Sequence, residues 1–296
     1  MGTDYTILDP RRMRFAALAA RATRINPSAS VNDPLTARTR SVWSAGDYDR
    51  ISAGFRHEAE AFVARLALTS DQFVLDAACG SGNLTIPAAR TGAQVTGFDL
   101  VPSLLDAAGR WATREKVSIG LDQGTVEELP YADAQFDVVM SMFGVMFAAR
   151  AERVVSELTR VTRPGGRVAL ANWTRRGFVG QLLATHVAYV PPPSGSRSPL
   201  LWGDESFIRE QFNERDWHVT TSLRTLTFRY PCRPAETAAL FRAAYGPTVR
   251  AFEALAEDRR RLMEADLVAH WVRHQRPTSR TTEVDSEYLE IIATRR

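Results

Sequence analysis

The sequence predicts an α/β fold in which a mostly parallel, seven-stranded sheet carries helices on both faces. Three observations support this prediction. From residue 73 onward, short apolar runs alternate with amphipathic segments, as in strands joined by crossover helices. The run at 136–142 is apolar almost throughout, which is typical of a strand buried on both faces. A glycine-rich segment also follows the first apolar run, as in ligand-binding loops of open sheets.

The individual elements follow from the spacing of the apolar residues. Residues 55–68 repeat apolar side chains at intervals of three and four, which predicts an amphipathic helix. The predicted strands span residues 73–78, 94–99, 117–122, 136–142, 167–173, 217–230 and 287–294. The predicted helices span 12–24, 83–90, 102–115, 152–162 and 204–214, with helical stretches through 235–272. Loop signals surround Asp33-Pro34 and 44–47, so residues 1–50 are expected to be the least regular part.

The composition limits the classes of protein to which the chain can belong. The chain has 296 residues, of which 45% are hydrophobic and 24% charged, as in ordinary globular domains. No apolar run approaches the ~18 residues that a membrane helix needs. The N-terminus lacks the pattern of a signal peptide, so we expect a cytoplasmic protein without a membrane partner.

Charge and cysteine usage exclude further classes. The formal net charge is +3, but Lys116 is the single lysine among 37 basic residues, and the arginines are spread among 34 acids. This distribution lacks a phosphate-binding face and argues against nucleic-acid binding. Cys79 and Cys232 belong to no CxxC pair, so neither a metal site nor a disulfide scaffold is expected.

The segment at 74–83, V-L-D-A-A-C-G-S-G-N, is the main candidate binding site. It ends the first predicted strand, and ligands of open α/β sheets bind at the carboxyl ends of the strands. Gly80 and Gly82 would let the backbone turn sharply and approach a ligand closely. Asp99 ends the second predicted strand, where its carboxylate can accept hydrogen bonds from both hydroxyls of a ribose.

Three ligands compete for this loop. A triphosphate loop requires a lysine after the glycines, and none follows here. A dinucleotide loop requires a third glycine or alanine at the position of Thr85. S-adenosylmethionine has a ribose but no phosphate, and Asp76 is placed to orient its methionine amine.

Four segments strengthen the third alternative. They are V-L-D-A-A-C-G-S-G, V-T-G-F-D-L, E-E-L-P-Y-A-D-A-Q-F-D-V-V and L-T-R-V-T-R-P-G-G-R. With these segments, residues 73–173 resemble a class I S-adenosylmethionine-dependent methyltransferase of the ubiquinone/menaquinone-biosynthesis type (the type 11/25 group). The resemblance implies a Rossmann-like sheet with an antiparallel last strand, S-adenosylmethionine as cofactor, S-adenosylhomocysteine as product, and no metal.

The resemblance also assigns cofactor contacts. Asp76, Gly80 and Gly82 would form the loop at the methionine end, Asp99 would bind the ribose, and Leu100 would lie beside the adenine.

The family often has Gly-Asp-Ala before its E-x-L-P segment, whereas this chain has Gly124-Thr125-Val126. The hydroxyl of Thr125 and the N–H of Val126 can still serve the adenine, but the charged contact is missing.

Two aromatic residues, Trp43 and Tyr48, precede the core. The family often places an aromatic residue from this region over the cofactor, and aromatic faces attract cations such as the sulfonium. Packing in the hydrophobic core is the alternative for both rings.

The segment at 141–147 follows the fourth strand, and its backbone, beginning with Ser141, should approach the methionine end. DNA-amino and cytosine-C5 methyltransferases carry motifs here that this chain lacks, which favours a small, partly apolar acceptor. The predicted acceptor pocket contains Phe143, Met146, Phe147 and Trp202, with core packing as the alternative for the first three. No catalytic residue is assigned, because a base is needed only if the acceptor loses a proton; Tyr48 and His186 are the candidates.

Three regions follow from these assignments. Residues 1–70 would form an N-terminal helical extension and cofactor lid, which could pack on a second subunit in a homo-oligomer. Residues 71–174 would form the S-adenosylmethionine-binding core. Residues 175–296 would supply the acceptor cap and complete the sheet, with the insertion at 174–203 and its prolines 191–193 as a candidate lid.

The sequence thus predicts a bacterial methyltransferase (EC 2.1.1.-) that acts on a small metabolite or natural-product intermediate by in-line attack on the sulfonium methyl. Methylation of carbon, oxygen and nitrogen all stay open. The alternative is a non-catalytic S-adenosylmethionine-binding protein with the same fold. A nicotinamide dehydrogenase is disfavoured, because the third glycine and an evident Tyr-x-x-x-Lys pair are missing.

Overall fold

The computed structural model describes residues 33–193 and 196–296. The helix predicted at 12–24 lies outside the described residues. Within the described ranges, strands and helices alternate from Phe73 onward, as the apolar spacing predicts. One buried apolar cluster includes side chains from all three predicted regions, among them Ile51, Val74 and Phe241.

Seven strands of the described chain form one sheet. They are β1 (Phe73–Ala77), β2 (Gln94–Asp99), β3 (Gly120–Gln123), β4 (Phe136–Met142), β5 (Thr162–Trp173), β6 (Trp217–Tyr230) and β7 (Thr282–Arg295). Their spatial order is β3-β2-β1-β4-β5-β7-β6. β7 runs antiparallel to both β5 and β6, whereas the pairs from β3 to β5 are parallel. The predicted fold class, including the reversed last strand, is confirmed.

The helices are numbered over the described residues. They are α1 (Pro34–Trp43), α2 (Tyr48–Ser52), α3 (Arg56–Leu66), α4 (Thr85–Arg90), α5 (Pro102–Glu115), α6 (Ala151–Val161), α7 (Phe178–Tyr189), α8 (Glu205–Gln211), α9 (Pro234–Ala244), α10 (Gly246–Ala254) and α11 (Glu257–His274). Single 3₁₀ turns lie at Ala53–Phe55, Val145–Phe147 and Pro199–Gly203. No helix in the described ranges is long and apolar enough to span a membrane.

β3 begins at Gly120 rather than at residue 117. β5 and β7 are longer than predicted because their pairing extends into polar sequence. β5 begins at Thr162 rather than at residue 167, since Thr162 pairs with Phe136 across an irregularity in the ladder. β7 begins at Thr282 rather than at residue 287, because it pairs with β6 along the whole length of both strands. Its first half alternates polar outward residues with buried Val284 and Ser286, a pattern of period two that the sequence analysis missed.

Two helices lie where the sequence analysis predicted loops or an insertion. Asp33-Pro34, taken as a loop signal, begins α1: the Asp33 side chain accepts a hydrogen bond from the N–H of Thr36, and Pro34 occupies the first turn. The region at 174–203, predicted as an irregular insertion, contains α7. Its buried residues recur at helical spacing, so the apolar pattern was available in the sequence; they are Phe178, Val179, Leu182, Leu183 and His186.

The N-terminal region lies against the C-terminal one. The Arg250 guanidinium, on α10, donates hydrogen bonds of 3.2 and 3.0 Å to the carbonyl oxygen of Ser41 on α1. A Cβ atom at Gly246 would lie 2.2 Å from the carbonyl oxygen of Val42, so only glycine allows this approach. α1 is therefore held across the carboxyl edge of the sheet by α10.

Candidate functional site

A cavity with an empty volume of about 940 Å³, the main cavity, opens at the carboxyl ends of β1, β2 and β4. The sheet order reverses between β1 and β4, the position at which open α/β sheets bind ligands. Its walls come from the loop after β1, the end of β2, residues 124–127, residues 142–144 and α1 with Tyr48. The site that the sequence predicts from local segments is therefore assembled in one place.

The two glycines of the loop after β1 do different things. Both have positive φ, at +54° for Gly80 and +94° for Gly82. A Cβ at Gly80 would meet only Tyr48 Cδ1, at 3.9 Å, so this position faces the main cavity. A Cβ at Gly82 would instead lie 3.2 Å from the Cβ of Ala108 on α5. Gly82 is not among the residues that line the cavity; its lack of a side chain lets α5 pack against the loop, and a cofactor contact for it stays a prediction.

Asp76 is the next-to-last residue of β1, and its carboxyl group is buried. Thr85 Oγ1 donates a hydrogen bond of 2.5 Å to its Oδ2. Burial raises the pKa of Asp76 to about 7; the Thr85 hydrogen bond opposes this rise and the charge of Asp99 adds to it. Thr85, the residue that counted against a dinucleotide, thus holds the carboxyl at the cavity wall.

Asp99 is held by backbone donors on both of its oxygens. The N–H of Gly80 donates to Oδ2 at 2.8 Å, and the N–H of Val101 donates to Oδ1 at 2.9 Å. Burial raises the pKa of Asp99, while these hydrogen bonds lower it. Asp99 and the neighbouring Leu100 both line the main cavity.

Two polar atoms in the loop after β1 are buried without a hydrogen-bond partner among the described residues. They are Ser81 Oγ and Asn83 Oδ1, and both residues line the main cavity. An unpaired buried polar group costs about 1–3 kcal/mol. The loop therefore has hydrogen-bonding capacity that suits a polar ligand end, such as an amino-acid tail. The sequence analysis missed both residues, although they lie inside its glycine-rich segment.

The loop after β3 forms the opposite end of the cavity. A Cβ at Gly124 would lie 2.5 Å from Cζ of Phe98, so this turn needs glycine. Thr125 Oγ1 accepts a hydrogen bond from the N–H of Glu127 at 3.3 Å, which leaves the hydroxyl hydrogen of Thr125 available as a donor. Thr125 and Val126 both line the cavity. Leu100, the third residue that the sequence analysis expects near an adenine, lines it as well.

Arg150 joins this loop to the start of α1. It donates to the buried Glu127 carboxylate from its backbone N at 3.0 Å and from Nη1 at 2.7 Å. Its Nη2 donates to Asp33 Oδ1 at 2.7 Å. The Arg150 hydrogen bond holds the pKa of Asp33 at about 2, well below its usual range. We name the set Asp33, Arg150 and Glu127 the lid clasp, since it fastens α1 over the cavity.

Aromatic side chains close the cavity at its other end. Trp43 lies edge-on to Tyr48, with ring centroids 5.4 Å apart, and to Phe147 at 4.8 Å. Behind them is a narrow second space, the aromatic chamber. It is lined by Trp43, Tyr48, Ile51, Phe55, Phe147, Trp173, Val179, Leu182, Phe228, Phe241 and Tyr245.

The segment after β4 forms the junction of the two spaces. Ser141 does not line either space: its Oγ donates to the carbonyl of Ala77 at 2.6 Å and accepts from the N–H of Val145 at 3.2 Å, so it ties β4 to β1. Phe143 has a φ of +57° and stacks on Trp173 with ring centroids 3.5 Å apart. A Cβ at Gly144 would lie 2.6 Å from the carbonyl oxygen of Ala78, a contact that the sequence analysis did not anticipate.

Three predicted site residues lie elsewhere. Met146 and Trp202 are 1% and 2% exposed, line neither space, and pack in the core, which corrects their assignment to the acceptor pocket. His186 is buried, with Nδ1 2.7 Å from the carbonyl of Leu182 and Nε2 2.7 Å from Thr248 Oγ1. Burial lowers its pKa to about 4. His186 is therefore a neutral, fully paired structural residue and not a catalytic base.

The prolines at 191–193 line neither space, and a lid role for them stays a prediction. From the 174–203 region it is α7 that reaches the chamber, through Val179 and Leu182.

The charged side chains that line the main cavity, within the described residues, are all acidic: Asp76, Asp99 and Glu127. A phosphate has no cation to pair with there, whereas a positively charged group is favoured. Together with the glycine loop and the carboxylate after β2, this defines a Rossmann-like protein whose site suits a nucleoside ligand that carries positive charge and no phosphate.

Comparison with known proteins identifies the family. A family model described as "Methyltransferase domain" matches residues 75–170. An uncharacterised protein of Mycobacterium tuberculosis is 36% identical over 234 residues, 78% of this chain and 85% of the relative. A demethylmenaquinone methyltransferase of Tropheryma whipplei is 29% identical over 212 residues, 68% of this chain and 86% of the relative. The chain belongs to the class I S-adenosylmethionine-dependent methyltransferase family, as its four sequence segments predict.

Solved structures agree on the fold. The YcgJ protein of Bacillus subtilis superposes with a TM-score of 0.57 at 16% identity, covering 81% of this chain and 99% of that one. The [4+2]-cyclase SpnF superposes with a TM-score of 0.53 at 18% identity, covering 81% of this chain and 80% of that one. Because SpnF is described as a cyclase, the fold by itself does not establish which reaction a member catalyses.

Proposed function

We propose that the protein binds S-adenosylmethionine in the main cavity and transfers its methyl group to a small, partly apolar acceptor. The observation that best supports this proposal is that the main cavity and the aromatic chamber adjoin each other. The main cavity has the polar groups that such a cofactor needs, and it shares Trp43, Tyr48, Phe55 and Phe147 with an apolar chamber.

At the ribose end, Asp99 would accept hydrogen bonds from the hydroxyls. The N–H groups of Gly80 and Val101 orient the carboxylate in advance, so little side-chain entropy would be lost on binding. Leu100 would lie beside the adenine, where Thr125 can donate through its hydroxyl and Val126 through its N–H.

At the methionine end, Asp76 would pair with the ammonium group, and Ser81 and Asn83 would satisfy their unpaired atoms on the tail. When bound, S-adenosylmethionine supplies an electrophilic methyl group on a sulfonium sulfur. The acidic lining and the faces of Trp43 and Tyr48 would stabilise that positive charge.

The chain's residues would promote the transfer mainly by positioning and by excluding water. Burial raises the pKa of Tyr48 and of Tyr245, so both hydroxyls remain protonated and act as donors rather than bases. The acceptor would therefore attack with its own electron pair, and any proton that it carries would leave to solvent.

The regions keep the roles expected for them under this proposal. Residues 33–70 would cover the cofactor through α1, residues 71–174 would bind it, and the part from 175 onward would cap the acceptor through α7, α9 and α10. The lid clasp and the Arg250–Ser41 contact support a covering role for α1.

The experiment is a transfer assay with S-adenosylmethionine labelled in the methyl group and a panel of phenol, thiol, amine and carbon-acid acceptors. We expect labelled product and an equal amount of S-adenosylhomocysteine with at least one class. Calorimetry with S-adenosylhomocysteine separates the alternatives. Binding without transfer to any acceptor would favour the non-catalytic protein, and absence of binding would refute the cofactor assignment.

A further inference from the structure

β6 is the outermost strand at one end of the sheet, and among the described residues no strand lies beside its outer edge. Every second residue of such a strand directs its backbone N–H and C=O groups away from the sheet. Within the described ranges, no backbone hydrogen bond joins residues 218–229 to an element other than β7. The 3₁₀ turn at Ala53–Phe55 contacts Phe228 and Tyr230, near the end of the strand. The stretch at 220–226, the open edge, therefore carries backbone donors and acceptors that the described chain does not use.

The open edge lacks the features that usually protect an edge strand. Natural sheets prevent pairing with another chain by a proline, a lysine, a β-bulge or a very short edge strand. β6 has 14 residues, and all of them pair with β7 in one continuous register. The open edge reads T-T-S-L-R-T-L and contains neither proline nor lysine. β3, at the opposite end of the sheet, has only four residues. β6 is therefore the long, unprotected edge of this sheet.

An apolar side chain lies at the centre of the open edge. Leu223 is 65% exposed, more than any other large hydrophobic side chain of the described residues. Ser222 and Thr225 are exposed as well, and neighbouring residues of a strand point to opposite faces. Both faces of β6 are thus accessible here. A strand that paired with the open edge would cover Leu223 and place side chains beside threonines, which favour strands.

The charge on the open edge is balanced within one copy of the chain. Arg224 is its one charged residue, and the guanidinium lies 2.7 Å from the carboxylate of Glu290 on β7. Glu290 also pairs with Arg65, which pairs with Glu58. Two arginines and two glutamates therefore form a neutral network. A second copy of the same strand would meet little repulsion, and a charged peptide would find no unbalanced charge on this stretch.

A two-fold axis at Leu223 would pair the open edge with itself. Residues that face each other across antiparallel strands lie on the same side of the sheet, so the axis must place one residue opposite its own copy. With Leu223 at the axis, the two leucines cover each other. Thr221 of one copy then faces Thr225 of the other, and Ser222 faces Arg224. With Arg224 at the axis, two like charges would be opposed, which destabilises a strand pair.

We propose that two copies of the chain pair through β6, antiparallel and centred on Leu223, so that their sheets join into one. This inference is independent of the proposed function. The contact closes on itself, because each copy has a single β6 edge and uses it fully. The seven residues span about 23 Å and supply about six to eight main-chain hydrogen bonds. This contact is smaller than a standard interface of ~1,600 Å², so the dimer forms reversibly at micromolar concentrations.

The test is sedimentation velocity on the full chain over a range of about 1 to 200 µM, because assembly follows mass action. We expect the mass to rise reversibly with concentration from 32.9 kDa to twice that value. A chain that stays monomeric over the whole range would overturn the proposal. Growth beyond the dimer would also overturn it, because pairing of two β6 edges leaves no edge of this kind open.

Matched variants assign the contact to β6. Leu223→Lys opposes two like charges at the axis, so the dimer should dissociate at least about tenfold more readily. Leu262→Lys changes another exposed leucine, on α11, and should assemble as the wild-type chain does. Circular dichroism and urea unfolding verify that both variants are folded. A dimer that persists unchanged in Leu223→Lys, or that both variants weaken equally, would assign the contact to another surface and refute the proposal.

A cysteine at the axis provides a second measurement that does not depend on the lysine variant. Leu223→Cys places two thiols opposite each other, so mild oxidation with diamide should give a covalent dimer. Leu262→Cys and the wild-type chain are the controls; the native Cys79 is buried and Cys232 is half-buried. Cross-linking of Leu223→Cys that is no faster than that of Leu262→Cys would show that the copies do not pair about Leu223.

Discussion

The backbone N–H of Gly80 donates a hydrogen bond of 2.8 Å to Oδ2 of Asp99. This single contact joins the loop after β1 to the end of β2, and it holds the carboxylate beside the loop that approaches the ligand. The left-handed conformation of Gly80 directs its N–H to the carboxylate, and the absence of a side chain leaves the cavity open. The motif and the acid that the sequence shows as separate signals are thus one structural unit.

Replacement of Asp99 should weaken cofactor binding. Asp99→Ala loses an acceptor of up to two charge-assisted hydrogen bonds, each worth about 1.5–3 kcal/mol, so the affinity for S-adenosylhomocysteine should fall by about two orders of magnitude or more. Isothermal titration calorimetry measures the change. Asp106→Ala, at an exposed position on α5, is the control and should bind normally. An unaltered affinity of Asp99→Ala would show that the ribose lies elsewhere.

Cofactor affinity should depend on pH through Asp76. Its pKa is raised to about 7 in the ligand-free protein, so the carboxyl becomes neutral as the pH falls below 7. Binding an ammonium group requires the carboxylate, and the affinity for S-adenosylhomocysteine should therefore drop on acidification, by up to about tenfold per pH unit. Titrations between pH 6 and 8 measure this dependence.

Two variants identify the titrating group. Thr85→Val removes the hydrogen bond that lowers the pKa of Asp76, so the loss of affinity should begin at a higher pH. Asp76→Asn removes the titrating carboxyl and should flatten the profile. A pH dependence that persists unchanged in Asp76→Asn would assign it to another group.

The lid clasp should restrain α1. Arg150→Ala breaks the side-chain hydrogen bonds to both Asp33 and Glu127, so backbone amides of α1 should exchange faster with deuterated solvent. Hydrogen-exchange mass spectrometry on residues 34–43 measures the effect, and S-adenosylhomocysteine should dissociate faster. Arg197→Ala removes an exposed ion pair with Glu152 and is the matched control. Equal exchange in both variants would argue against a clasp.

Gly144 should tolerate no side chain. In Gly144→Ala the new Cβ would lie 2.6 Å from the carbonyl oxygen of Ala78, so the loops after β1 and β4 must separate. We expect a loss of about 1–3 kcal/mol in the free energy of unfolding, measured by urea denaturation, together with weaker cofactor binding. Gly109→Ala, in α5, meets only a Leu121 methyl group at 3.5 Å and should be neutral or stabilising by up to about 1 kcal/mol. Comparable losses in the free energy of unfolding of the two variants would show that the contact with the carbonyl oxygen of Ala78 is not the cause.

Local signals explain which elements were predictable. β4 and α5 have the predicted bounds, because a nearly unbroken apolar run marks the strand and a proline in the first turn marks the start of the helix. β7 was predicted too short because its first half depends on pairing with β6 rather than on its own apolar content. α7 shows an apolar pattern of helical period, but the neighbouring prolines at 191–193 led to the prediction of an irregular insertion.

The candidate site likewise contains residues that local segments predict and residues whose role only the packing reveals. Asp76, Gly80, Asp99, Leu100, Thr125 and Val126 lie at the cavity, where their segments predict them. Gly82 and Ser141 belong to the correct loops but serve the packing of those loops. Met146, Trp202 and His186 are apolar or paired core residues, and only their burial and partners reveal this.

The sequence by itself determined the order of strands and helices, the family and the segments that line the main cavity, because these depend on periodicity and on motifs within short segments. The tertiary structure alone decided which residues from distant parts of the chain lie together in the second space. Tyr48, which begins α2, and Tyr245, which lies between α9 and α10, are far apart in the chain; both line the aromatic chamber because the N–H of Asp47 donates to the carbonyl of Ala244 and joins these segments. Contacts of this kind depend on how whole elements pack, and no local pattern of residues encodes them.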